Sequence, residues 1–223
     1  MKHEQRAATS RPAHGKIGER LAWLVSNLLS PPIVGLLGAG IVTIHEPQTY
    51  VPAGETNRWL LFGVYALTAI VLPTGLVFAM TAIGRIGDVN MNLREERLIP
   101  YLFAVLCMAI GSIIMAAASA PRGLFALSSA TCLLYVLLTV ISLRSKVSAH
   151  SAGMGLFSVM GIVTIGGPLL ATVPLTVALM WARVHMRRHT WAQTIAGVLL
   201  GGASFLVVWL IVAGNERALA ALP

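Results

Sequence analysis

Apolar residues run along this chain in long blocks separated by short clusters of charge, Gly and Pro. Five blocks, Leu21 to Ile44, Arg58 to about Ile83, Ile99 to Ala118, Leu124 to Leu143 and Trp191 to Val212, reach the roughly 20 residues needed to cross about 30 Å of hydrocarbon. No block alternates with period two, so the pattern predicts helices and not a barrel. The first is interrupted at Ser30-Pro31-Pro32, and Trp59 opens the second where an interfacial aromatic sits.

A sixth stretch, Ser151 to Ala182, carries Gly166-Gly167-Pro168 at its middle. Gly weakens a helix and Pro disfavours α geometry in the residue before it, so the tripeptide is a turn signal. The stretch reads as a hairpin of two short helices or as one kinked spanning helix. Limbs of about 15 residues rise only some 22 Å, so a hairpin must recruit flanking residues or pack inside protein. The expected fold is all-α: a polytopic membrane bundle of six to seven helices, including the short hairpin. It forms a single domain over residues 21–223 behind a polar basic tail, 1–20, with Lys2, Arg6, Arg11, Lys16 and Arg20.

Composition agrees, with 57% hydrophobic residues, 11% charged and a mean hydropathy of +0.79. Cys107 and Cys132 fall inside apolar blocks and imply no disulfide framework. The first block has a basic flank like a signal peptide, but it exceeds an ordinary signal core and lacks a cleavage pattern, so it reads as a retained helix. The net charge of +8 does not imply nucleic acid, because the cations cluster at helix ends without interleaved aromatics. In the last block Gly197-Val198-Leu199-Leu200-Gly201 allows close helix approach, inside the bundle or as a homodimer face.

Charge bears on the hairpin. If the chain turns back at the tripeptide, thirteen of the sixteen Lys and Arg share one face, leaving Arg58, Arg122 and Arg217 opposite; a single long helix worsens that segregation. The positive-inside rule therefore favours the hairpin and places the N-terminus and the site on the cytoplasmic side of the cell membrane.

The hairpin is bracketed by two basic segments, Lys146-Val147-Ser148-Ala149-His150 and Arg183-Val184-His185-Met186-Arg187-Arg188-His189. The second reads Ala182-Arg183-x5-His189-x3-Gln193, which resembles the third signature of the type 2 phosphatidic acid phosphatase (PAP2) superfamily, Ser-Arg-x5-His-x3-Asp. Val147-Ser148-Ala149-His150 resembles its second signature, Pro-Ser-Gly-His, and Asn90-x6-Arg97-Leu98 resembles its first, Lys-x6-Arg-Pro. The resemblance covers roughly Asn90 to Gly201. Asn90 stands for the Lys, Leu98 and Val147 for prolines, Ala149 for Gly, Ala182 for Ser and Gln193 for Asp.

Phosphoryl transfer from a lipid needs cations on the equatorial oxygens, an in-line nucleophile and a proton for the leaving alkoxide. Arg183 and Arg97 supply guanidinium forks, Lys146 a point charge and Ser148 a neutral donor. The resemblance implies His189 as the nucleophile, forming a phosphohistidine, with His150 as general acid and no cofactor or metal. Gln193 replaces the orienting carboxylate and brings an acceptor without charge. Arg94 is a candidate substitute for the cation lost at Asn90.

The expected activity is an integral membrane lipid phosphatase, for a phosphatidate, a phosphatidylglycerol phosphate or an isoprenoid (di)phosphate. Two alternatives are a prenyl transferase holding Mg²⁺ with Asp88 and Glu95 or Glu96, and a non-catalytic binder of lipid phosphate. Arg144, Arg187 and Arg188 otherwise read as topology and headgroup contacts. Asp88, Glu95 and Glu96 read as balancing Arg85, Arg94 and Arg97 within their loop, and His185 as interfacial filler.

Overall fold

A computed structural model describes residues 17–45, 57–91, 93–166 and 170–220, with side chains to Gly214 in the last helix. Among these residues all regular structure is helical: α1 (Ile17–Leu28), α2 (Pro31–His45), α3 (Arg58–Tyr65), a π-helical segment (Ala66–Val71), α4 (Leu72–Ala82), α5 (Leu98–Ala117), α6 (Arg122–Ser142), α7 (Ala149–Thr164), α8 (Thr172–His185) and α9 (Trp191–Ala220). Helix begins at Ile17, inside the stretch expected to be tail. The rest of that tail, the acidic loop with Glu46 and Glu55, and Gly167-Pro168 lie outside the described residues.

Four helical rods are long and apolar enough to span a membrane: Arg58–Ala82, Leu98–Ala117, Arg122–Ser142 and Trp191–Gly214. The α1–α2 pair, bent by 46°, is a fifth if counted as one span. The protein is thus a helical membrane bundle of four to five candidate spans. A lipid-facing stripe shows on α5, where Leu102, Leu106, Ile110 and Ile113 recur every three to four residues and are about half exposed or more.

Local chemistry explains the breaks. The α1–α2 bend falls where Pro31 and Pro32 open α2; proline fits a first helical turn but ends what precedes it. In the Arg58–Ala82 rod, Pro73 cannot donate a backbone bond and its ring crowds the carbonyl four residues back. The turn before it widens, so that Leu72 N–H reaches Leu67 O.

α7 and α8 form the hairpin. Gly166, at φ +94°, sends its N–H back to Gly161 O and terminates α7 as a left-handed cap. Ser158 Oγ and Thr176 Oγ1 then meet across the limbs at 3.1 Å. The small-residue motif is consumed inside the bundle: a Cβ on Gly201 would strike Ala152 O, and one on Gly155 would strike Val198 O. Apolar surface gains little by leaving lipid, so this close α7–α9 backbone approach is what dispersion contacts require. The Gly197-to-Gly201 face is therefore occupied by α7 and is not free to form a homodimer.

Candidate active site

The turn brings the two basic segments together. His150, in the first turn of α7, and His189, in the link between α8 and α9, line one cavity of about 280 Å³ with Arg97, Arg183 and Asn90. Tyr65, Tyr101, Thr131 and Tyr135 add hydroxyl groups to the same lining. The remainder is walled by apolar residues such as Val34, Ile70, Leu134 and Phe157, and it reaches exposed Phe78 on α4.

Arg183 is 2% exposed. Its Nη1 donates to Ser26 Oγ at 2.9 Å and to Asn90 Oδ1 at 3.4 Å, while its buried Nε has no partner. Arg97, 3% exposed, donates from Nε to Met91 O at 2.9 Å and from Nη1 to Val147 O at 3.0 Å. Among the described residues neither guanidinium has a carboxylate partner. Buried charge that makes no ion pair is costly, and such an arrangement can accept an anion. The first-turn amides of Ala149 and His150, which cannot bond within α7, face the same need.

The link carrying His189 is shaped by a left-handed residue. Arg187 at φ 54° lets its N–H bond Val184 O, and Arg188 N–H bond Arg183 O. This is a Schellman closure of α8, and it folds His189 back over the helix end. Gln193 Oε1 accepts from Thr190 N–H at 3.1 Å, which identifies that atom as oxygen. Since oxygen can only accept, the 3.2 Å bond from His189 Nδ1 must be donated by the ring. Nε2 is left with its lone pair. Burial, then Arg183, Lys146 and Arg97, pull the His189 pKa down to about 3, with Gln193 opposing weakly, so the imidazole is neutral near pH 7. His150 makes no hydrogen bond among the described residues.

Lys146 is half-buried beside the cluster; burial, then Arg97, Arg183 and Arg188, lower its pKa. Ser148 is wholly buried, and its Oγ accepts from Ser151 N and Ser151 Oγ, so it caps α7 and does not line the cavity. Arg94 lies elsewhere: exposed, it donates to Arg144 O at 3.1 Å and pairs with Glu95 at 3.8 Å. It does not replace the cation missing at Asn90, whose amide oxygen instead accepts from Arg183.

Two expectations are corrected. Arg188 is not a headgroup contact and Asp88 does not simply balance its own loop. They pair with each other at 2.9 Å, with side chains 13% and 10% exposed. Glu96 Oε1 accepts from Gly87 N, so Asp88, Glu95 and Glu96 have separate partners and do not converge. His185 stacks on Trp181 with ring centroids 5.0 Å apart. Ser26 was not legible as a site residue, since it meets Arg183 from 157 positions away within an otherwise ordinary amphipathic helix. No family model, curated protein or solved structure matches the chain.

Proposed function

We propose that this protein is an integral membrane phosphatase that removes phosphate from a phosphorylated lipid. The observation that carries the reading is the pair of buried guanidinium groups, Arg97 and Arg183, without counter-carboxylates, beside a neutral His189 whose Nε2 lone pair is free. In the reaction Nε2 attacks phosphorus while the bond from phosphorus to the lipid oxygen breaks. The departing alkoxide takes a proton from His150 in its cationic form, which the arriving phosphate dianion stabilises. Water then attacks the phosphohistidine, gives its proton to His150 and breaks the P–N bond, releasing inorganic phosphate and restoring His189.

The apolar walls suit the lipid chain, and Phe78 marks where the cavity approaches surrounding hydrocarbon. Counting both hairpin limbs as membrane-embedded gives the six to seven helices of the phosphatase reading. Gly18 of α1 lies against His185, so the N-terminal end of α1 is on the site's face. The positive-inside rule then puts both on the cytoplasmic side of a cell membrane.

Release of phosphate from phosphatidate, phosphatidylglycerol phosphate and isoprenyl phosphate should persist in chelator. It should fall at least roughly 10²-fold in His189→Ala and in His150→Ala. Equal release by wild type and both variants overturns the mechanism, and lipid binding without release would favour a non-catalytic role.

A further inference from the structure

One side of α1 is a row of small residues. Gly18, Ala22 and Ser26 recur every four positions and so share a face, while Ile17, Leu21, Leu24 and Leu28 lie exposed on another. The small face packs on α8: Ala22 is fully buried, and a Cβ on Gly18 would come within 3.3 Å of His185 Nε2. Small side chains let two helix backbones approach closely. At the far end of the row that approach brings Ser26, 3% exposed, onto Arg183. The 46° bend ahead of Pro31 is what turns α1 away from the line of α2.

Arg183 is held through one nitrogen. Nη1 donates to Ser26 Oγ at 2.9 Å and to Asn90 Oδ1 at 3.4 Å, which takes up both of its hydrogens. Asn90 is tied in turn to Asp88 Oδ1, through its backbone N–H at 3.2 Å and its Nδ2 at 3.4 Å. Nε and Nη2, by contrast, make no hydrogen bond among the described residues. Those two atoms form one edge of the guanidinium, whose parallel N–H groups fit two oxygens of a phosphate. Because the group is planar and rigid, acceptors that fix Nη1 also fix the direction of that edge.

We infer that Ser26 is a positioning residue of the site: together with Asn90 it holds Nη1 of Arg183, so that the Nε and Nη2 edge is presented to the phosphate. The inference takes only the identity of the anion from the phosphatase reading. Ser26 touches no reacting atom and acts through Arg183, which makes the seating of α1 on α8 a condition for tight binding.

The test uses dodecylphosphonate, a non-hydrolysable headgroup on a single hydrocarbon chain, with affinity read from the probe-dependent rise in melting temperature of the full-length protein in detergent. Ser26→Ala should weaken binding roughly threefold to tenfold, the worth of one hydrogen bond. Ser26→Thr and Ser26→Val, alike in shape but not in the hydroxyl, should differ by the same factor, which separates the bond from any change in packing. In an Arg183→Lys background, Ser26→Ala should cost less than about twofold more, since residues acting through one another do not add. Leu21→Ala, on the exposed face, should bind as wild type does. Equal or tighter binding by Ser26→Ala, equal binding by the Thr and Val variants, or an undiminished loss in the Arg183→Lys background overturns the inference, even where phosphate release by wild type is intact. These binding effects without phosphate release from phosphatidate would refute the catalytic reading and leave the positioning role standing. Absence of dodecylphosphonate binding by wild type would overturn both.

Discussion

At the scale of single residues, the site turns on how Gln193 differs from a carboxylate. Its oxygen fixes His189 with the proton on Nδ1, which frees Nε2, but in the proposed reaction it would give no charge to the cation formed when that ring carries phosphorus. Gln193→Glu should therefore raise the His189 pKa above its value of about 3. In a pH profile of kcat/KM the variant should gain an acid limb at higher pH than wild type, with a faster plateau; unchanged profiles would show that Gln193 does not act through His189. The same depressed value has a stability consequence. Unfolded His189 takes up its proton near its ordinary 6.5 and folded His189 only near 3, so its contribution is intact above pH 6.5 and is lost as pH falls between those values. Melting curves in detergent should show this loss, and His189→Gln should flatten part of it. Arg183→Lys should cost roughly 10²-fold or more in rate, because a compact ammonium lacks the planar fork that lets Nη1 hold Ser26 Oγ and Asn90 Oδ1 while the other guanidinium nitrogens face a phosphate oxygen. The residues that were legible, Arg97, His150, Arg183, His189 and Gln193, were so because their spacings resemble the signatures of a known phosphatase superfamily.

Between elements, the Asp88–Arg188 ion pair joins the loop ahead of α5 to the link ahead of α9, across 100 residues. Asp88 Oδ1 also accepts from Asn90 N, so the same side chain steadies the residue that meets Arg183. Asp88→Asn keeps a comparable acceptor for Asn90 and removes only the charge. The variant should lose about 3 kcal/mol of stability, read as a lower melting temperature, because the largely buried Arg188 loses the carboxylate it pairs with at 2.9 Å. Adding Arg188→Met should recover much of the loss; no recovery would mean that the pair is not the origin. Nothing local in the sequence announced this pairing: Asp88 has Arg85 close by in the chain, while the acidic residues nearest to Arg188 along the chain, Glu216 and Glu96, are both far from it. Helix limits were more readable. The spans over 98–117 and 122–142 fall within two residues of the apolar blocks, because lipid demands an uninterrupted apolar length. Pro73 was visible, but whether it would kink, break or widen the rod depends on what packs there. Thr68, in the π segment, sits so close to Gly111 of α5 that a Cβ on that glycine would collide with it.

For the whole molecule, one turn governs the chemistry, because His150 and His189 share a cavity only if α7 and α8 run side by side. The Gly166-Gly167-Pro168 signal allowed a kinked span as readily as a hairpin, and periodicity could not separate them since both limbs are apolar all round. The contacts that favour the hairpin lie between elements: the hydroxyl pair Ser158–Thr176, and the backbone approach of α9 that seats α7 on Gly197 and Gly201. Replacing that pair with Ser158→Cys/Thr176→Cys, in a chain with Cys107→Ala and Cys132→Ala, tests the turn. Side chains whose oxygens lie 3.1 Å apart place the two new sulfurs close to bonding range. A membrane-permeant oxidant should close a disulfide within one chain, seen as a shift in mobility that reductant reverses. In one continuous helix the same positions, eighteen residues apart, would be separated by about 27 Å and could not join. Failure to cross-link, with cysteines at 150 and 189 labelled from opposite membrane faces, would part the two imidazoles and remove the site. Cross-linking together with loss of release in His189→Ala would tie phosphate chemistry to this single fold-back.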